Sequence, residues 1–182
     1  PKNMDSGGFT PLLYAARENC IACIDVLLKH GADVNLPDPD GVSPLHLAII
    51  NSNWDFATRL IDAGADVNQT TGYGWSPLLV ATQNRYYKLG AYLLDHGANV
   101  NLANKGGWTP LYLATDNRNI EGGDYPVRRP DMDHLEYIKI LLNKGANVNA
   151  RIKDSTQTRT VFTNQWLDEN GATAFFRASQ SG

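Results

Sequence analysis

A 33-residue repeat is the feature that most restricts what this chain can fold into. A Thr or Ser followed by Pro and an aliphatic residue begins at four positions, each 33 residues apart: Thr10, Ser43, Ser76 and Thr109. Two short helices cannot bury an apolar face by themselves, so neighbouring units must stack to form one continuous core. The chain is therefore predicted to be a stack of similar units.

A second marker has the same period and shows where the repeat is interrupted. The sequence GADVN starts at Gly31 and Gly64, and GANVN starts at Gly97 and again at Gly145. The last interval is 48 residues, so 15 extra residues lie inside the fourth unit. The pattern resumes at Thr173, where a fifth and incomplete unit is predicted to continue.

Each marker has a physical role at the end of a helix. The Ser or Thr hydroxyl accepts a hydrogen bond from the first turn, and the following Pro already has the backbone angle of the first helical position. The Gly of the second marker stands where a helix ends, because glycine adopts positive φ without strain. Apolar residues recur with helical spacing in two bursts between the markers. Each unit is thus predicted to be helix, turn, helix and an extended finger with a turn such as residues 38–41.

On these residues the chain resembles an ankyrin-repeat protein. The run SPLHLA at residues 43–48 is close to the T-P-L-H-x-A signature of that family, and the period of 33 residues agrees with it. The resemblance implies an all-α fold, an α-solenoid of stacked ankyrin repeats with β-hairpin fingers, as a single domain over residues 1–182. The implied units are residues 5–37, 38–70, 71–103, 104–151 and a partial 152–182.

One position of the signature departs from the family pattern. Histidine stands at the fourth position only as His46, and the other units have Leu13, Leu79, Tyr112 and Phe176 there. The resemblance implies a hydrogen bond from this histidine, which we expect to be absent from the other four units.

Two insertions and two open ends interrupt the regular stack. The 15 extra residues of the fourth unit fall within residues 119–133, where Gly and Pro are frequent enough to predict a surface loop between the two helices. A second insertion of 16 residues, 152–167, is rich in β-branched residues and is predicted to lengthen a β-finger. Neither end has the polar outer face of a terminal repeat, so we expect the chain to be a fragment of a longer array.

Composition and motifs exclude several classes of function. Sixteen Lys and Arg against 19 Asp and Glu give a formal charge of -3, which is the wrong sign for nucleic-acid binding. No apolar run is long enough to cross a membrane. The motifs of nucleophilic hydrolases, zinc proteases and nucleotide-binding enzymes are absent, so we predict a chain that is not an enzyme and needs no cofactor. Nothing in the sequence indicates a compartment.

Two clusters of reactive side chains have structural explanations. Cys20 and Cys23 have CxxC spacing, but there is no second pair for zinc and no following His for haem, so Cys23 is predicted to be a small hydrophobe of the core. A divalent cation is a weaker possibility for four residues of the first insertion: Asp124, Asp131, Asp133 and His134. A solvated loop with one Asp capping the next helix explains the same residues and is the favoured interpretation.

The residues most indicative of binding recur at fixed repeat positions. In the family that the chain resembles, partners meet the finger tips and the exposed side of the first helices, the concave face. The position before each Thr/Ser-Pro holds Phe9, Val42, Trp75 and Trp108, with Ala172 in the fifth unit, and Tyr73 lies nearby. Polar positions on the neighbouring helices complete the predicted partner surface: Arg17, Glu18, Asn51, Gln83, Asn84, Asp116 and Asn117.

Two interpretations of the aromatic column stay open. The rings contact a partner, since Trp and Tyr are enriched in binding hot spots, or they pack finger against finger beneath the second insertion. We predict a non-enzymatic protein-interaction module that binds a protein of unknown identity. The alternatives are a structural or docking subunit of a larger enzyme complex, and a small-ligand or metal-binding protein that uses the insertion loop.

Overall fold

The computed structural model describes residues 8–119, 128–153 and 170–179. Within these ranges the regular structure is helical, with an isolated antiparallel bridge between Arg151 and Thr173. The helices are α1 Pro11–Glu18, α2 Ile21–Lys29, α3 Pro44–Ile50, α4 Trp54–Asp62, α5 Pro77–Gln83, α6 Tyr87–Asp95, α7 Pro110–Asn119, α8 His134–Asn143 and α9 Ala174–Ser179. No helix in the described ranges has the length and apolar character needed to span a membrane.

The helices form a two-row stack, which confirms the predicted all-α solenoid. The first helices pack in one row, α1 on α3, α3 on α5, α5 on α7 and α7 on α9, and each second helix packs on its own first helix. The core between the rows consists of residues that recur at equivalent positions, such as Ala48, Ala81 and Ala114, all fully buried. Alanine at this position lets adjacent first helices approach closely.

The first helices begin where the Ser and Thr residues predict. In each unit the hydroxyl oxygen accepts a hydrogen bond from the amide three residues later, at 3.2 or 3.3 Å. These N-caps are Thr10, Ser43, Ser76, Thr109 and Thr173. Each satisfies a backbone donor that the first turn leaves without a partner, so the caps fix the register of the whole row.

Neighbouring units are also joined through the Asn of the second marker. The side-chain oxygen of Asn35 accepts from the amide of Asp66 at 2.7 Å. Asn68 and Asn101 repeat this contact with the amides of the following units, again at 2.7 Å. The Gly residues before them have φ between 83° and 90° and end the second helices, as predicted. The same backbone geometry is therefore reproduced from unit to unit.

The fingers are tight turns that touch one another through their backbones. At the base of one finger the amide of Thr71 donates to the carbonyl of Trp75 at 3.0 Å. Adjacent fingers are linked by hydrogen bonds from Gly72 to Asp40 at 2.7 Å and from Lys105 to Tyr73 at 3.1 Å. These contacts hold the fingers in one row beside the first helices. We call the surface formed by the fingers and the exposed side of the first helices the finger face.

His46 makes the hydrogen bond that the family resemblance implies for its position. Its Nε2 donates to the carbonyl of Trp75 in the next unit at 2.9 Å, and Nδ1 lies 2.7 Å from the Ser43 hydroxyl. Burial lowers the pKa of His46, because the surroundings favour the uncharged ring. A neutral histidine thus connects the second unit to the finger of the third.

The two insertions lie mostly outside the described residues. Helix α7 ends at Asn119 and α8 begins at His134, and residues 128–133 of the intervening loop are described. The prediction of a lengthened β-finger over residues 152–167 falls outside them, apart from its first two residues. The amide of Ile152 donates to Ala172 at 3.1 Å, so the residues on either side of the second insertion are held together.

Candidate partner-binding groove

An open groove of about 550 Å³ lies on the finger face between the second and third units. Its walls combine apolar side chains from the fingers and first helices with a few polar ones. They are Asp40, Val42, His46, Ile50, Thr71, Tyr73, Trp75, Val80, Gln83 and Asn84. Five of these residues, Val42, Tyr73, Trp75, Gln83 and Asn84, belong to the predicted partner surface.

The 33-residue period explains why these side chains meet. Val42 and Trp75 occupy the same repeat position directly before an N-cap, and Ile50 and Gln83 occupy the same position in the last turn of α3 and α5. Stacking places equivalent positions side by side along the repeat axis. The groove is therefore built from two copies of one structural position.

The backbone around Trp75 is held before any partner arrives. Its amide accepts the Thr71 hydroxyl oxygen as a hydrogen-bond partner at 3.2 Å, and its carbonyl accepts from both Thr71 and His46. The indole is half-buried against the core. A rigid ring of this kind loses little conformational entropy on binding.

Large apolar side chains on the rim of the groove remain open to solvent. Tyr73 is 65% exposed at the finger tip, and Ile50 is 49% exposed at the end of α3. The polar neighbours are partly engaged within the chain, since Asn51 donates to Leu47 at 2.8 Å and Asn84 donates to Val80 at 2.9 Å. Their side-chain oxygens take no part in these two bonds.

The finger face continues into the first unit as a second aromatic patch. Phe9 and Tyr14 meet edge to face with ring centroids 5.3 Å apart. The Arg17 guanidinium lies 5.0 Å from the Tyr14 centroid, and its Nε is 2.7 Å from a carboxylate oxygen of Glu18. This patch combines exposed ring surface with charges of both signs.

The fourth unit does not contribute to the open surface, which corrects part of the prediction. Trp108 is only 3% exposed, and Asp116 and Asn117 are 5% and 3% exposed. Trp108 packs in a small core with Tyr112, Ile152 and Ala172, and its ring meets that of Tyr112 at 4.9 Å. The interpretation in which the rings pack against neighbouring fingers is therefore correct for Trp108.

Contacts with the fifth unit and with α5 account for the two buried polar residues. Two guanidinium nitrogens of Arg177, in α9, lie 2.7 and 2.6 Å from Asp116 Oδ1. Burial nevertheless raises the pKa of Asp116, because the loss of hydration outweighs the attraction of Arg177. Asn117 donates to the Thr82 carbonyl at 2.7 Å. These residues join units instead of facing a partner.

The residues weighed as metal ligands have separate structural roles. Asp133 caps α8 by accepting from the amides of Leu135 and Glu136, and Asp131 accepts from the amide of Lys88 at 3.0 Å. His134 is buried with its Nδ1 at 2.9 Å from the Tyr87 hydroxyl. Asp124 lies outside the described residues. In the described ranges no three His, Cys, Asp or Glu side chains come together as a metal site.

Two features of the structure were missed from the sequence. The sulfurs of Cys20 and Cys23 are joined in a disulfide, where a free core cysteine was expected. The Arg128 guanidinium lies 4.8 Å from the Tyr86 centroid and donates to the Ser52 hydroxyl at 3.3 Å. The end of the first insertion thus folds back on the helix turns of the second and third units. The CxxC spacing was the available signal for the first feature, and the sequence carries no signal for the second.

Comparison with known proteins gives a family-level match. The model for ankyrin repeats in three copies matches residues 1–71 and 58–152, which is most of the chain. Short segments also resemble longer proteins. Mouse inversin is 42% identical over 57 residues, 31% of this chain and 5% of inversin.

Two further relatives have enzymatic names. A palmitoyltransferase of Lachancea kluyveri is 48% identical over 44 residues, 24% of this chain and 6% of that protein. The ARF GTPase-activating protein Git of Drosophila melanogaster is 47% identical over 53 residues, 29% of this chain and 7% of Git. The similarity thus covers only a small part of each of these curated relatives.

Proposed function

The chain belongs to the ankyrin-repeat family, and from this premise we propose that it binds a protein partner through the finger face of its first three units. Ankyrin repeats are generally protein-interaction modules, and the family is typically non-enzymatic. The observation that carries the proposal is the open groove of about 550 Å³ between the second and third units, with Ile50 and Tyr73 exposed on its rim.

The surface has the composition of a protein-binding site. Trp75 and Tyr73 are of the types that supply most of the energy in interfaces, and Val42 and Val80 form an apolar floor beside them. Polar groups of Gln83 and neighbouring residues surround this centre, as in the rim of an interface. An extended segment of a partner would bury one apolar side chain here and hydrogen-bond along the rim.

The extent of the surface favours a protein over a small ligand. The patch of Phe9, Tyr14 and Arg17 lies on the same face one unit away, so a partner that crosses the groove can also reach it. A small molecule would be enclosed by a concave pocket on most sides, whereas this groove is open. Binding therefore requires contacts distributed over several repeat units.

Alanine substitutions on the rim test the proposal. Peptides would be selected from a random library on the immobilised wild-type chain, and their affinities measured for Ile50→Ala and Tyr73→Ala. We expect each substitution to weaken binding by about tenfold or more, since hot-spot residues contribute about 2 kcal/mol.

The matched controls are Leu135→Ala and Leu142→Ala, because both leucines are exposed on α8, away from the finger face. They should leave the affinities within about twofold of the wild type. Binders that respond to the α8 controls and ignore the two rim substitutions would place the binding surface elsewhere.

A second candidate function is that of a docking module in an assembly that contains an enzyme. It is favoured by the names of two relatives, a palmitoyltransferase and an ARF GTPase-activating protein. Here the finger face would hold an enzyme or its substrate, without chemistry of its own. Purification of the native complex, followed by activity assays and identification of the subunits, would support this candidate if an enzyme remained bound through the rim residues.

A further inference from the structure

The disulfide between Cys20 and Cys23 lies at the N-terminus of α2, in the wall of an open recess. Both residues are half-buried, and the recess has a volume of about 600 Å³. Tyr14, Val26 and Leu27 line it together with the two cysteines. The sulfur pair is thus at the surface of the first unit and belongs neither to the groove nor to the finger face.

The architecture of the repeat does not require this bond. The same two positions hold Asn53 and Phe56 in the second unit and Tyr86 and Leu89 in the third, and these units form the same helix pair. The backbone amide of Cys23 already donates to the Cys20 carbonyl at 2.9 Å. The disulfide therefore closes one turn that is already closed, and it joins no two elements of the fold.

The position of the pair suits exchange chemistry. Cys20 is the N-cap of α2, a helix of nine residues, and the helix N-terminus stabilises a thiolate at this place. Cys23 lies one turn further and packs against the core. A thiolate at the cap with a second thiol one turn away is the arrangement that lets a mixed disulfide be resolved within the same helix.

We propose that Cys20 and Cys23 form a reversible thiol–disulfide exchange site for thiols of the glutathione class. In the oxidising direction the Cys20 thiolate attacks glutathione disulfide, forms a mixed disulfide and releases one glutathione thiolate. The Cys23 thiolate then attacks the Cys20 sulfur, closes the intramolecular bond and releases the second glutathione. Two protein thiols and one glutathione disulfide give one protein disulfide and two glutathione molecules, and excess glutathione reverses both steps.

Equilibration of the native chain in glutathione buffers of graded redox ratio tests the site. Free thiols would be alkylated and counted by mass spectrometry, while circular dichroism follows the fold. We expect the count to change from two to zero as the buffer becomes oxidising, at a rate that low, non-denaturing urea leaves unchanged. A thiol count that ignores the buffer, or a rate that rises with urea, would overturn the proposal.

Single serine variants separate the roles of the two cysteines. Cys23→Ser should accumulate one bound glutathione, because no second thiol remains to resolve the mixed disulfide. Cys20→Ser should react at least about tenfold more slowly, since its remaining thiol lacks the helix N-terminus and is packed against the core. Equal rates for the two variants would contradict the assignment of Cys20 as the attacking thiol.

Discussion

At the scale of single residues, the buried polar side chains decide how the units are joined. Arg177 stands at the repeat position of Leu113 in the fourth unit, and Asp116 stands at that of Ile50 in the second. Apolar residues therefore fill both positions elsewhere in the same fold. The ion pair is not a requirement of the stack but a particular connection between α7 and α9.

Removing one member of this pair should be costly, and removing both should not. Asp116→Ala leaves the Arg177 charge without its carboxylate in a buried site, and we expect a loss of about 3–5 kcal/mol in the free energy of unfolding. The double variant Asp116→Ile, Arg177→Leu should lie within about 2 kcal/mol of the wild type. Urea unfolding measures both values. Two losses of equal size would show that the pair itself stabilises the fold.

His46 predicts a dependence of stability on pH. Its pKa in the folded chain is lower than the ordinary value of 6.5, so the folded state binds fewer protons than the unfolded chain near that pH. The stability that the neutral ring contributes is complete above pH 6.5 and is lost as the pH falls below it. His46→Leu, which copies Leu79 in the third unit, should unfold with a smaller change in stability between about pH 7 and pH 5. Identical pH profiles would refute the prediction.

Residue identity predicted position better than exposure. The N-caps such as Thr10 and Ser43 were predictable because the hydroxyl and the amide that it caps are three residues apart in the chain. The burial of Trp108 and Asp116 was not, because it depends on Ile152, Ala172 and Arg177, which follow an insertion. A substitution at Trp108 is therefore a test of packing, and Trp75 is the member of the column that can test binding.

At the scale of secondary-structure elements, the fingers depend on close contact between backbones. A Cβ atom at Gly74 would lie 3.0 Å from the amide nitrogen of Lys105 and 3.1 Å from the Cα of Asn104. Its φ of +81° also disfavours a side chain. This glycine therefore satisfies two constraints, one local and one between units.

Gly64 offers a matched control for that glycine. It has φ of +90° and no heavy atom within 4 Å of a built Cβ, so it carries the local constraint alone. Gly64→Ala should lower the free energy of unfolding by about 1–2 kcal/mol, and Gly74→Ala should lower it by about 1–3 kcal/mol more because the fingers must separate. Thermal or urea unfolding compares the two variants. Equal losses would show that the fingers adjust without strain.

The second helices show where sequence reasoning about elements reached its limit. The first helices have Ser or Thr caps, but α2, α4 and α6 begin without a side-chain cap after a residue of positive φ, namely Asn19, Ser52 or Arg85. Their starts are fixed by packing on the first helices, which a local motif does not report. The apolar spacing predicted that these helices exist, and the tertiary contacts set where they begin.

At the scale of the whole molecule, the repeat fixes a row and the neighbouring segments decide which part of it is open. The finger face is accessible over the first three units, whereas contacts with Ile152, Ala172 and Arg177 bury the corresponding residues of the fourth. The period predicted the alignment of the finger-face residues. It could not predict this boundary, because the segments that create it do not repeat.

The central claim is that a partner binds between the second and third units on the finger face. Isoleucine methyl NMR tests it most directly, because Ile50 lines the groove whereas Ile24 lies in the core of the first unit and Ile138 lies on α8. On titration with a selected peptide, we predict that the Ile50 methyl signals shift and those of Ile24 and Ile138 keep their positions. Shifts at Ile138 with an unchanged Ile50 would contradict the account.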